Sequence, residues 1–139
     1  MKHVVTLLFC FTWAVICGQE VEKKHSIDVN LENCLAIEKN YTTTGMLDCT
    51  QKAYAEWDKE LNSVYKKLIA KLSGSEKAAL KKAQGEWIIF RDLEFKNIDS
   101  IYDKLDGTMY IPMRLNEKME IVRRRTLQLN GYLQLLTNY

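Results

Sequence analysis

Leu115, Met119, Val122, Thr126, Leu129, Leu133 and Leu136 alternate steps of four and three without a slip. Only an α-helix puts positions so spaced on one side, and that side needs other helices to cover it. Two earlier segments carry the same rhythm. Tyr54, Trp57, Leu61, Val64, Leu68 and Leu72 form one stripe. Leu80, Ala83, Trp87, Phe90, Ile98, Ile101 and Leu105 form the other, between about Glu76 and Leu105. No alternating apolar pattern indicates a sheet. With one Pro and six Gly in 139 residues, few breaks interrupt these segments. The pattern predicts an all-α fold: a three-helix, mostly antiparallel bundle with an N-terminal segment tethered by a disulfide.

The breaks that exist fall between the stripes. Thr50 or Asp48 is a candidate cap for the first helix. Ser73-Gly74-Ser75 ends it, and Ser75 can cap the next. Asp106-Gly107 supplies the second stop, because Gly enters the left-handed cap conformation cheaply. Thr108 to Pro112 then reads as a connection with apolar tips, and the third helix is expected from about Met113 to Leu136.

Upstream of the stripes the chain reads as a targeting segment and a leader. Met1-Lys2-His3 is a short positive start, and Val4 to Cys17 is apolar except for Thr6 and Thr12. That run is shorter than the roughly 20 residues a spanning helix requires and suits a secretory signal core. Residues 1–18 are the expected signal peptide, with lipidation at Cys17 as the alternative and the only route to a membrane anchor. Residues 19–33 are polar and read as a flexible leader, with a short helix carrying Cys34 over 31–39. Residues 34–136 make the helical domain. Asn40-Tyr41-Thr42 has the form of a glycosylation sequon.

Loss of Lys2 with the signal takes the formal charge from +2 to +1. Such a balanced chain lacks the concentrated basic face of a nucleic-acid binder. Cys10 and Cys17 go with the signal, leaving Cys34 and Cys49. Two cysteines in an exported chain favour a disulfide over two core thiols. Closing so short a loop is worth about 3 kcal/mol at best.

Polar residues on the apolar stripes mark the candidate site. At 100° per residue, Trp87, Arg91 and Glu94 share an arc of about 60°, with Gln84 at its edge and Asp92 outside it. Asp58, Asn62 and Tyr65 form a strip beside Trp57, and Arg125 borders Thr126. A buried Arg requires partners, so Arg91 is expected to meet Asp58 and Glu94 inside the bundle. Two readings are open for Asp58, Asn62, Gln84, Arg91, Glu94 and Arg125: a structural polar network, or a pocket for a small ligand or envelope component.

Other chemistry lacks its residues. His25 lies in the leader, no Gly-rich phosphate loop is present, and no metal-ligand spacing occurs. No nucleophile, base, metal or cofactor site can be named, so an enzyme is not expected. The Glu76 to Lys82 and Arg123-Arg124-Arg125 charge runs read as solvated faces, the latter suited to a helix C-terminal half.

Cys49, Trp57-Asp58, Leu61-Asn62 and Tyr65, followed by Gln84, Trp87, Arg91-Asp92 and Glu94, form an ordered signature. Over residues 34 to 133 it resembles the exported lysozyme-inhibitor family LprI. The resemblance implies a bacterial, all-helical, periplasmic or secreted domain with a Cys34–Cys49 bridge, and a protein partner that is lysozyme or an envelope protein. Members of that family often carry a further cysteine where Phe95 stands here, and an apolar contact from Phe95 is the expected substitute. Common host lysozymes are basic, so the acids Asp99, Asp103 and Asp106 suggest a partner-binding corner with Thr108, Met109 and Tyr110. The corresponding mechanism is occlusion of the partner's cleft by the 106–113 loop.

Overall fold

The computed structural model describes residues 24–138. The expected signal peptide, and Cys17 with it, lies outside them. The fold has four helices: α1 (Ser26–Leu35), α2 (Thr43–Lys71), α3 (Gly74–Tyr102) and α4 (Tyr110–Thr137), with a short 3-10 turn at Glu38–Asn40 between α1 and α2. All-α holds, but the three-helix expectation is corrected to four. Among the described residues no helix is long and apolar enough to cross a membrane.

α1 is the fourth helix: it carries Cys34 as the short helix expected over 31–39 would, but it spans 26–35 and so takes in residues 26–33 of the stretch read as a flexible leader. Its apolar positions are few, yet Ile27 and Leu31 stand four apart and both join the core. His25 caps it, with Nδ1 accepting from the Ile27 amide at 3.3 Å. Its far end is tied by the Cys34–Cys49 disulfide, Cα atoms 5.8 Å apart. Asn40 braces that bridge: its side-chain amide donates to the Cys34 carbonyl at 2.8 Å and reaches the Cys49 sulfur at 3.5 Å.

Helix starts differ from the sequence reading. α2 begins at Thr43 because Thr42 caps it, its hydroxyl accepting from the Gly45 amide at 3.0 Å. Thr50 bonds back to the Met46 carbonyl instead. α4 begins at Tyr110 rather than Met113. Pro112 sits in its first turn, where a missing N–H costs nothing. Ser73, not Ser75, stands at the start of α3, beside Gly74 at φ +50°.

The principal interface joins α2 to α4. These two helices run parallel: the Thr43 and Thr108 hydroxyls meet at one end, and the middles meet around Trp57 and Arg123. Trp57, Leu61, Val64 and Leu68 of α2 and Met119, Val122, Thr126 and Leu129 of α4 are buried, as their heptad spacing requires. α1 runs antiparallel over this seam and closes the core. Its place leaves α3 outside, leaning mainly on α4. Only Gln84 and Ile98 of α3 are buried. Ala83, Phe90, Ile101 and Leu105, expected in the core, are exposed.

Candidate functional site

The polar residues singled out on α3 divide into two groups around Trp87. Arg91 is the first. Its Nε and Nη2 donate to Asp92 Oδ1 at 2.9 and 2.7 Å. Its guanidinium lies 5.6 Å from the Trp87 ring centre and 5.8 Å from that of Phe95. The expected ion pairs of Arg91 with Asp58 and Glu94 are not formed. Asp58 accepts from Asn62 Nδ2 on its backbone oxygen at 2.8 Å and on its carboxylate at 3.4 Å. Glu94 accepts from Asn97 at 3.2 Å. The Arg91 side chain is half-buried between the Trp87 and Phe95 rings, and it takes its ion pair from the adjacent, exposed Asp92 on its own helix. The charges nevertheless surround Tyr54. Burial raises its phenol pKa above 10.0, Asp58 adds to the rise, Arg91 opposes it and Asp92 adds again.

Gln84 and Arg125 form the second group. Arg125 Nε donates to Gln84 Oε1 at 3.0 Å, and Nη1 donates to Gln128 Oε1 at 2.7 Å. Its guanidinium is 5.7 Å from the Trp87 ring centre. Arg125 has neutral hydrogen-bond partners and no ion pair among the described residues. Burial therefore lowers its pKa from the ordinary guanidinium value, with Tyr132 opposing the change. This pair spans the gap between α3 and α4 and lies at a groove of about 580 Å³. Trp87, Phe90, Ile98 and Ile121 supply its apolar lining, and Glu94, Glu117 and Arg124 its charged lining. Arg91 and Asp58 are not part of it.

Phe95 takes the apolar contact expected of it. It packs against the core, with the Tyr54 ring 6.4 Å away and the Lys118 ammonium 5.6 Å from its ring centre.

At the α3–α4 connection, Asp103 accepts from Arg114 at 2.7 Å and Asp99 from Lys118 at 2.6 Å. Two of the three acids proposed as a steering corner are thus neutralised by α4. Asp106 has no ion-pair partner among the described residues. Gly107, Thr108 and Met109 are exposed, and Thr108 is held by the Thr43 hydroxyl at 3.2 Å. Tyr110 lies in the first turn of α4 with its ring edge-on to Tyr102, centres 6.4 Å apart. Met109, Ile111 and Met113 are exposed beside it. An apolar groove of about 320 Å³ opens next to them, lined in part by Leu35, Met46, Met109, Pro112 and Met113.

One polar cluster was missed. Arg123 Nε and Nη2 donate to the two Asp28 oxygens at 2.9 and 2.8 Å, joining α4 to α1 in a bidentate pair. The hydrogen bond to Asp28 raises the Arg123 pKa against the opposing effect of burial. The Arg123 guanidinium is 5.6 Å from the Trp57 ring centre, and His25 stacks at 4.4 Å from that ring. Trp57 Nε1 is buried without a hydrogen-bond partner among the described residues. The signal was an Asp between apolar Ile27 and Leu31, and an Arg directly after core Val122. Reading the triple Arg as a solvated face hid it.

None of these clusters contains a nucleophile with a base, and no group of metal-ligating side chains occurs among the described residues. No curated protein matches the chain. A crystal structure of an uncharacterized protein from Burkholderia thailandensis is similar, at 25% identity and a TM-score of 0.77. The similarity covers 83% of this chain and 57% of that one, so this chain spans little more than half of its length. The family model described as lysozyme inhibitor LprI matches residues 34–129, which hold the disulfide, the α2–α4 seam and the Trp87 network. By that match over most of its length, the chain belongs to the lysozyme inhibitor LprI family.

Proposed function

We propose that this chain is an exported, non-enzymatic protein-binding domain that inhibits a lysozyme. Family membership supports a protein partner, and the apolar Val4–Cys17 run supports export to the periplasm or beyond. The observation that carries the choice of surface is the exposure of Met109, Ile111 and Met113 just after Asp106, which joins no ion pair among the described residues. Exposed apolar side chains rimmed by polar ones mark interaction sites. Inhibition here is steric: the 106–113 segment enters or covers the partner's cleft, with the apolar groove at Met46 and Pro112 beside it. Because Arg114 and Lys118 neutralise Asp103 and Asp99, attraction to a basic lysozyme rests on Asp106 and on apolar burial. Binding is then only weakly salt-dependent.

Purified protein assayed against several lysozyme types should inhibit at least one at micromolar concentration. Met109→Asp and Asp106→Lys should each weaken that inhibition by at least about tenfold, the effect of losing a central contact. Both positions are exposed, so helical content should not change. Absence of inhibition across all types sinks the lysozyme reading. Inhibition untouched by both substitutions moves the contact away from this loop.

A further inference from the structure

α3 carries a second apolar face that no described element covers. Ile89, Phe90, Leu93 and Ile101 are 57%, 53%, 59% and 51% exposed. On a helix at 100° per residue they share an arc of about 120° with Glu86, Asn97, Ser100 and Lys104, the last in the turn that continues α3. All eight are exposed. Trp87, Gln84 and Ile98 occupy the opposite side, toward α4. The polar centre of the arc is uncharged: the Ser100 hydroxyl donates to the Asn97 carbonyl at 2.8 Å, and Asn97 donates to Glu94. Between residues 86 and 104 the only charges on this arc stand at its two ends, Glu86 and Lys104. Neither joins an ion pair among the described residues.

We propose that this face is the contact between two copies of the chain, packed α3 against α3, antiparallel, about a two-fold axis at the level of residue 95 along the helix. An isologous contact requires a surface complementary to itself. Reversing the stripe onto itself sets Glu86 opposite Lys104 of the second copy, and Lys104 opposite Glu86, so both ends pair. The same register brings Phe90 level with Ser100 and beside Ile101 of the second copy, and Leu93 level with Asn97. A parallel pairing would set Glu86 on Glu86 and Lys104 on Lys104, and like charges so placed repel. The charge order along the stripe therefore selects a second copy in one orientation. The 106–113 loop is not part of this face, so dimerisation leaves it free.

Light scattering coupled to size exclusion, run on the whole protein over a range of micromolar concentrations, tests this. The wild type should reach twice the mass of the 16.2 kDa chain. Leu93→Asp should leave a monomer with unchanged helical content and melting temperature, because Leu93 is exposed and lies outside the core cluster. Glu86→Lys should weaken the dimer roughly tenfold by turning two attractions into repulsions, and Glu86→Lys with Lys104→Glu should restore it. A wild-type monomer throughout overturns the proposal and leaves the face to a different partner or to solvent. A dimer indifferent to Leu93→Asp, or a charge swap that fails to restore the pairing, overturns it equally.

Discussion

Gly45 lies where the 3-10 turn comes back over the first turn of α2. A Cβ there would stand 2.5 Å from the Asn40 Cα and 2.8 Å from its carbonyl oxygen. Both contacts are with backbone, which cannot swing aside as a side chain would. Asn40 is fixed in turn by its bonds to the disulfide region. Gly45→Ala should therefore lift the turn off α2 and destabilise the fold by about 1–3 kcal/mol, the range for overpacking. Urea denaturation at constant m-value would measure it, and an unchanged midpoint would show that the turn relaxes freely. The same crowding explains why Gly45 could not be read from the sequence. It sits inside a helix, with ordinary φ, and nothing local demands Gly. The demand comes from a neighbour five residues back that folds over it.

At the scale of elements, α1 shows where sequence periodicity runs out. A ten-residue helix with two core contacts leaves a faint apolar pattern, and its polar residues outvote it. What holds α1 is tertiary: Ile27 and Leu31 on the α2–α4 seam, the bridge at Cys34, and the Asp28–Arg123 pair. The Asp28 side chain is only 10% exposed in that pair, so its removal strands a partly enclosed guanidinium beside Trp57. Asp28→Ala should cost about 2–4 kcal/mol, somewhat under the cost of breaking a fully buried pair. Asp28→Leu with Arg123→Met should recover much of that loss, since apolar residues of similar size replace such pairs well. If the double variant is no more stable than Asp28→Ala, the pair does more than neutralise its own charges. The Trp87 network was partly legible for the same reason in reverse. Gln84, Arg91 and Arg125 were identifiable as polar positions on apolar stripes, but their partners depend on how far α3 stands from α2. Helical spacing within one element says nothing of that distance.

The whole molecule is a tight α1–α2–α4 unit with α3 leaning on one side. The seams of α2 and α4 were legible because their heptad positions are buried from Trp57 to Leu68 and from Met119 to Leu129; the stripe fails only at its far end, where Leu136 is exposed. The α3 stripe was legible as a helix but not as an outer one, because Phe90, Ile101 and Leu105 obey helical spacing whether a core or an open face uses them. This division has a dynamic consequence. Local opening costs least where few apolar contacts are buried, and α3 buries only Gln84 and Ile98 while α2 buries seven residues. Hydrogen exchange should show amides of the α3 middle, around residues 86–101, opening well below the global unfolding free energy. Amides around Trp57 to Leu68 and Met119 to Leu129 should exchange only through global unfolding. If α3 also pairs with a second copy, its protection must rise with protein concentration while that of α2 and α4 does not. Protection equal along all three long helices in dilute solution would mean that α3 is held as firmly as the core, by contacts its exposure does not suggest.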